Sequence, residues 1–265
     1  MAERTATVVS LVARAVTAAD AGASALTDRD LLHRFADSGD ESAFAALVER
    51  HARMVLGVCR RLLPTLQDAE DACQATFLVL ARKARGGRWQ PSAANWLYAT
   101  ARHVAAKARR SVERRARREG RAAIPEAVAP DDASGRELLA ILDEELGKLP
   151  ARYREPLVLC YLEGLAREEA AARLGVPQGT VKTRLERGRR RLEVALTKRG
   201  VGVGLGLLAL AVATPAGAAS PRLVETVLAA VTGPAPAAVV ALAGGKGMNA
   251  LLRKLLIGVR RCGAG

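Results

Sequence analysis

A group of polar and basic residues in the C-terminal half of the chain has the types and spacing needed to bind a DNA groove. Residues 167–185 fit a helix-turn-helix, because Ala171 is small where two helices would approach and Gly175 can adopt the positive φ of the turn. Val181 would fill the angle between the helices, and Pro177 suits the first turn of the second one. That second helix would present side chains able to contact base edges and phosphates, namely Gln178, Thr180, Lys182, Thr183, Arg184 and Arg187. An ordinary helical hairpin with a solvated charged face is the alternative.

The charge balance of the chain agrees with a polyanionic partner. Lys and Arg number 41 against 27 acidic residues, which gives a formal net charge of +14. Such an excess favours binding to nucleic acid. Ribosomal, histone-like and membrane-surface proteins share this property, so charge alone leaves the partner open.

The sequence contains no motif of a known catalytic or metal site. Phosphate-binding loops of the G-x-x-x-x-G-K-[ST] type, H-E-x-x-H and G-x-S-x-G are all absent. Three histidines fall on separate predicted helices without an obvious shared site: His33, His51 and His103. Four cysteines lie far apart without a zinc spacing: Cys59, Cys73, Cys160 and Cys262. We therefore predict a non-enzyme without metal or cofactor, with reduced cysteines and a cytoplasmic location.

Helical periodicity dominates the chain and strand signals are scarce, so the predicted fold class is all-α. Thr27 and the three residues after it resemble a capping box that begins a first helix, which Gly39 would end. A longer apolar stripe runs up to Pro64, and a third helix is expected from about residue 67 to 84. A fourth helix, with one apolar and one basic side, follows the glycine- and proline-containing loop 86–91 and completes a bundle.

Composition divides the chain into five parts. Residues rich in Gly, Pro and Asp separate the bundle from a second group of short helices, and the last part is rich in Ala and Gly. The predicted parts are a disordered tail (1–26), the bundle (27–118), a flexible linker (119–135), the helix-turn-helix domain (136–199) and an extension (200–265).

Two blocks of sequence resemble the extracytoplasmic-function sigma factors of bacterial RNA polymerase. Residues 149–157, 161–165 and 179–189 resemble region 4 of that family. Residues 68–78 resemble its region 2.2, and residues 95–103 resemble regions 2.3 to 2.4. The resemblance covers roughly 28 to 198 and implies a two-domain subunit that directs polymerase to promoters and assists promoter melting. The alternatives are a free-standing helix-turn-helix regulator, with or without a membrane tether, and a membrane-anchored adaptor.

The resemblance also implies roles for individual residues. The residues that would dock on the β′ clamp helices of the polymerase core are Asp68, Glu70, Asp71, Gln74 and Phe77. Phe77 could instead belong to the core of the bundle. The minus-ten promoter element would contact Trp89, Gln90, Asn95, Arg102, His103, Lys107, Arg109 and Arg110. The helix-turn-helix residues named above would bind the minus-thirty-five element as duplex DNA, and region 4 would also contact the β flap. Trp96 is expected inside the bundle, and an anti-sigma factor is a further candidate partner.

The extension after Arg199 allows several interpretations. Residues 200–221 contain no charged residue, and this stretch is just long enough for a membrane span of about twenty residues. The span would be 201–219, and the basic stretch 187–199 before it would place the DNA-binding part in the cytoplasm. The alternative is that this segment packs on the preceding domains or is disordered, as the Pro-Ala-Gly stretch 232–245 is expected to be. Residues 248–261 form an amphipathic pattern that could bind a surface or a partner.

Overall fold

The computed structural model describes residues 26–86, 89–118, 130–201 and 220–244. These residues form helices and contain no strand, which confirms the all-α prediction. The helices are α1 (Asp28–Ser38), α2 (Glu41–Leu62), α3 (Leu66–Ala84), α4 (Ala94–Arg118), α5 (Pro130–Lys148), α6 (Ala151–Leu157), α7 (Arg167–Leu174), α8 (Gln178–Thr197), α9 (Pro221–Thr232) and α10 (Ala237–Ala243), with a π-helical turn at Val158–Leu162 between α6 and α7.

Capping side chains fix the beginnings of the first three helices. Thr27 and Asp30 form the predicted capping box at α1, and Gly39 ends that helix in the left-handed conformation with φ 70°. The side chain of Asp40 accepts a hydrogen bond from the backbone N–H of Ala43 at the start of α2. Thr65 does the same for α3 by accepting from the N–H of Asp68. These caps satisfy N–H groups that have no partner within their own helix.

Helices α1 to α4 form a bundle around one apolar core. Phe44, Leu47, Leu80 and Leu97 are fully buried, and the rings of Phe35 and Phe44 lie 4.5 Å apart. Burial of each such side chain stabilises the fold by about 1.5 to 3 kcal/mol. The three- and four-residue spacing of the apolar residues therefore positions α4 and the loop that precedes it.

Helices α5 to α8 and the π-helical turn form the second domain. Helix α6 crosses the middle of α8, where Gly188 allows close contact. A Cβ atom at this position would lie only 3.1 Å from both the Cδ1 atom of Leu157 and the carbonyl oxygen of Tyr153. Because of this glycine, α8 packs directly on the backbone of α6.

The cysteines that the structure describes are free thiols. Cys59 and Cys73 are buried in the bundle and Cys160 is half-buried. Burial raises the pKa of Cys59 to about 12, because an apolar surrounding disfavours the thiolate. Cys262 lies outside the described residues.

Two segments differ from their predictions. Helix α5 begins at Pro130, inside the predicted linker. A proline suits the first position of a helix, because the N–H that it lacks would have no partner within the helix there. The expectation of disorder for residues 232–245 is wrong over Ala237–Ala243, which forms α10. Nearly all of the predicted tail and membrane segment, and all of residues 248–261, lie outside the described residues.

Within the described ranges, no single helix is both long and apolar enough to cross a membrane. Helices α9 and α10 reach the required length and composition only as a pair, and they meet at an angle of 75°.

Candidate nucleic-acid interface

The helix-turn-helix has the geometry that its sequence predicts. Gly175 ends α7 with φ 63°, and its N–H donates to the carbonyl oxygens of Ala171 and Ala172. The N–H of Val176 also donates to the carbonyl oxygen of Ala171, at 3.1 Å. Val181 is fully buried in the angle between the two helices. This packing fixes the direction of α8, so that one side of α8 faces solvent.

The outward side of α8 carries the predicted duplex-binding residues. Gln178, Lys182, Thr183 and Arg187 are exposed, and Thr180 and Arg184 are half-buried. An open depression of about 430 Å³ lies along this side of α8. It is lined by Arg152, Tyr153, Gly179, Thr180, Thr183, Arg184 and Arg187. The structure thus brings four of the six predicted residues to one concave, cationic surface.

Sequence reasoning missed the contribution of α6 to this surface. The guanidinium groups of Arg152 and Arg191 each lie 4.9 Å from the centroid of the Tyr153 ring. Such cation–π contacts hold long side chains in defined positions. The arrangement adds ordered positive charge next to the recognition helix. The adjacent Arg152 and Tyr153 were its only signal in the sequence.

The loop before α4 is held by several contacts. Trp89 is buried with its ring 5.2 Å from that of Trp96 in an edge-to-face arrangement, and its indole N–H donates to the carbonyl oxygen of Ala84. The guanidinium of Arg29 donates to the carbonyl oxygen of Trp89 at 2.7 Å. Trp96 is in the bundle, as predicted, whereas Gln90 is half-buried at its rim.

Two predicted minus-ten residues on α4 face the second domain. Asn95 accepts a hydrogen bond from Arg154 at 2.7 Å and donates one to Glu155 at 3.2 Å. Arg102 packs against α5 so closely that a Cβ atom on Gly147 would lie 1.5 Å from its Nη1 atom. In this arrangement Asn95 and Arg102 are engaged within the protein.

The rest of the predicted minus-ten set lies further along α4. Arg109 and Arg110 are exposed, and Arg109 forms an exposed ion pair with Glu113 at 3.6 Å. His103 is half-buried, and burial together with the nearby charges of Arg110 and Lys107 lowers its pKa. Lys107 contacts the end of α10. The structure therefore leaves two arginines of this set facing solvent.

The predicted polymerase-docking residues lie on α3. Asp68, Glu70, Asp71 and Gln74 are half-buried in its first turns, where the helix dipole stabilises acidic side chains. Phe77 is fully buried in the core of the bundle. The docking set therefore consists of four accessible polar residues and one core aromatic.

Comparisons with known proteins agree with this geometry. Residues 47–115 match the family model for sigma-70 region 2, and residues 139–192 match the model for sigma-70 region 4. The chain is 36% identical over 170 residues to the RNA polymerase sigma factor CarQ of Myxococcus xanthus, covering 62% of this chain and 95% of CarQ. It is 32% identical over 179 residues to the ECF RNA polymerase sigma factor SigK of Mycobacterium sp. strain KMS, covering 64% of this chain and 91% of SigK.

The chain belongs to the extracytoplasmic-function sigma factors. It therefore directs RNA polymerase to promoters, and sigma factors are generally not enzymes. The sigma factor is also similar to a solved structure of CnrH in complex with the cytosolic domain of CnrY. The identity is 28%, the match covers 64% of this chain and 97% of the matched chain, and the TM-score is 0.32.

A buried ion network ties the two domains of the sigma factor together, and sequence reasoning missed it. His51 lies between two carboxylates, with its Nε2 atom 3.0 Å from Asp28 and its Nδ1 atom 2.5 Å from Glu163. Arg50 pairs with Asp28 at 2.5 Å. Burial opposes a charge on His51, but the carboxylates of Glu163 and Asp28 raise its pKa to about 10. Nothing in the sequence links His51 to Glu163.

A second buried pair crosses the same interface. Arg61 on α2 donates two hydrogen bonds to Asp143 on α5, at 2.6 and 3.1 Å. The hydroxyl of Tyr98 on α4 also donates to Asp143, at 3.0 Å. Since this bidentate pair and the His51 network both join residues of different domains, the structure represents a closed arrangement of the sigma factor.

Proposed function

We propose that the sigma factor binds the minus-thirty-five element as duplex DNA through the outward side of α8. The observation that carries this proposal is the exposed cationic side of the recognition helix next to the depression beside α6. Lys182 and Arg187 would neutralise phosphates, whereas Gln178, Thr180 and Arg184 would reach base edges. Thr183 is exposed between Lys182 and Arg184 and would contact the DNA backbone.

The loop before α4 and the exposed side of α4 would bind the minus-ten element and hold its non-template strand after melting. Arg109 and Arg110 face solvent and can contact phosphates. The side-chain amide of Asn95 is free to bind DNA only after its hydrogen bonds to Arg154 and Glu155 break. Strand capture therefore requires the two domains to separate, and promoter melting would be coupled to this opening.

The acidic first turns of α3 would dock on the clamp helices of the β′ subunit. Asp68, Glu70, Asp71 and Gln74 are accessible there, and carboxylates of this kind steer and orient protein contacts. Phe77 would support the helix from inside, because it is fully buried. The second domain would contact the β flap, and the sigma factor would act in the cytoplasm. An anti-sigma factor stays a predicted partner.

The test is run-off transcription with purified core polymerase. We expect the wild-type chain to support promoter-dependent transcripts, and the K182A/R184A/R187A variant to lose transcription from duplex promoters while still binding the core. Arg222→Ala is the matched control, since Arg222 is exposed on α9 and distant in sequence from α8. Tight binding of a duplex operator without polymerase would instead favour a free-standing regulator.

A further inference from the structure

Helix α3 is buried on two opposite sides. One side packs into the bundle through the residues of its main apolar stripe, such as Cys73, Phe77 and Leu80. Ala75, Leu78 and Val79 are also buried, although their positions in a 3.6-residue repeat place them on the other side of the helix. We call these three residues the back face of α3. A second layer of protein must cover it.

Helices α9 and α10, here called the C-terminal pair, supply that layer. Both contact α3, and α9 also contacts α2. Val227 on α9 and Val239 on α10 are fully buried, whereas Arg222 and Glu225 on α9 face solvent. Helix α9 is thus amphipathic, with its apolar side on the bundle, whereas every residue of α10 is apolar.

Lys107 attaches the C-terminal pair to α4. Its Nζ atom donates hydrogen bonds to the carbonyl oxygens of Ala241 at 2.5 Å, Leu242 at 3.1 Å and Gly244. These carbonyls lie at the C-terminal end of α10, where a cation is favourable. Partial burial lowers the pKa of Lys107. A residue of the predicted minus-ten surface is therefore occupied by the same pair.

The back face of α3, which the C-terminal pair covers, lies next to the docking residue Asp71. Asp71 is one turn before Ala75 and two turns before Leu78 on the same side of α3. Leu78 follows Asp71 by seven positions, which is about 10 Å along the axis, roughly the diameter of one helix. A helical partner lying across Asp71 and Gln74 would collide with the pair on the back face.

We propose that the C-terminal pair is a built-in competitor of the polymerase for α3, and that polymerase must displace it in order to dock. The inference rests on the proposed docking of α3. The pair would also release Lys107 as it leaves, so that the polymerase-docking and minus-ten surfaces become available together. If the pair is seated in about nine molecules of ten, it raises the apparent Kd for polymerase about tenfold.

Adjacent valines on α10 provide a matched test in the full chain. Val239 is fully buried, while Val240 is 39% exposed. Val239→Asp places an unpaired charge between α10 and the bundle and should unseat the pair. In titrations with labelled core polymerase, we expect the Kd of Val239→Asp to fall about tenfold, and that of Val240→Asp to stay at the wild-type value.

Two outcomes would overturn the proposal, and they differ in meaning. If all three chains bind polymerase equally well, the C-terminal pair does not compete, and docking through α3 stands. If no chain binds polymerase, the docking proposal fails and the competitor falls with it.

A measurement on the wild-type chain covers the case in which Val239→Asp does not fold. Amide hydrogen exchange in α9 and α10 should speed up when core polymerase is added, because displaced helices lose their packing. Unchanged or slower exchange in these helices, with polymerase bound, would contradict displacement.

Discussion

The two predicted DNA-binding surfaces differ in how far their residues are already engaged within the protein. On α8, Lys182 and Arg187 face solvent beside an open depression. On α4, Asn95 is bonded to Arg154 and Glu155, and Lys107 is bonded to the end of α10. The cations of α8 are therefore accessible in this closed arrangement, whereas Asn95 and Lys107 would have to give up intrachain hydrogen bonds in order to bind a single strand.

This difference suggests an order of events in initiation. A surface that is already exposed pays no opening free energy, so its affinity is available at once. A surface that is engaged within the protein has a lower apparent affinity, because only the fraction of molecules in which it is open can bind. If both surfaces bind DNA as proposed, intrachain contacts would regulate the α4 surface more than the α8 surface. The following predictions test these contacts, from the largest effect to the smallest.

The first prediction concerns the buried histidine. His51→Leu leaves the carboxylates of Asp28 and Glu163 without their shared cation, so we expect the free energy of unfolding to fall by about 3 to 5 kcal/mol. Urea unfolding followed by circular dichroism measures this. His33→Leu is the control, because His33 is exposed, and it should change the value by less than about 0.5 kcal/mol. Equal effects of the two substitutions would contradict a buried ion network.

The second prediction is the pH dependence of the same network. The folded-state pKa of His51 is raised from 6.5 to about 10, so its contribution is complete below pH 6.5 and is lost as the pH rises to 10. The difference in unfolding free energy between wild type and His51→Leu should shrink over this range, by at most about 1.4 kcal/mol per pH unit.

The carboxyl of Asp28 behaves in the opposite way. Burial disfavours its charge, but His51 and Arg50 lower its pKa, so its contribution is lost only as the pH falls below the ordinary value of 3.8. A difference between wild type and His51→Leu that stays constant above pH 6.5 would show that His51 is neutral in the folded protein.

The sequence predicted the folds of the two domains better than the contacts between them. Helix limits depend on local signals, and Thr27, Gly39 and Gly175 each act where the sequence places them. The helix-turn-helix likewise depends on neighbours within one segment. Such features can be predicted because the interacting residues are close in the chain.

Contacts across long separations had no such signal. His51 and Glu163 are 112 residues apart, and neither has a neighbour that indicates a partner. The C-terminal pair was missed because its Ala- and Pro-rich composition resembles that of disordered segments, while its stability comes from burial against α2 and α3. The engaged state of Asn95 also depends on a domain arrangement that the α4 sequence alone does not specify.

The third prediction compares a buried with an exposed ion pair. Arg61 and Asp143 join the two domains with both side chains nearly buried, whereas the Arg109–Glu113 pair is half exposed on α4. A double-mutant cycle with Arg61→Met and Asp143→Leu should give a coupling of about 1 to 3 kcal/mol in unfolding free energy. The cycle with Arg109→Met and Glu113→Leu should give less than about 0.5 kcal/mol. Similar couplings would mean that solvent reaches the interface between the domains.

The fourth prediction separates the two DNA surfaces by salt dependence. Lys182→Ala removes an exposed cation that we propose contacts a phosphate, so the slope of log affinity against log salt for holoenzyme on a duplex minus-thirty-five site should become shallower by about 1. Arg222→Ala, also a loss of one exposed cation, should leave the slope unchanged. Asn95→Ala removes no charge and releases Arg154 and Glu155 from α4, so it should alter binding to premelted promoters without changing the slope. If Lys182→Ala and Arg222→Ala shift the slope equally, the cations of α8 act only through the net charge of the chain, and α8 loses its special role in duplex recognition.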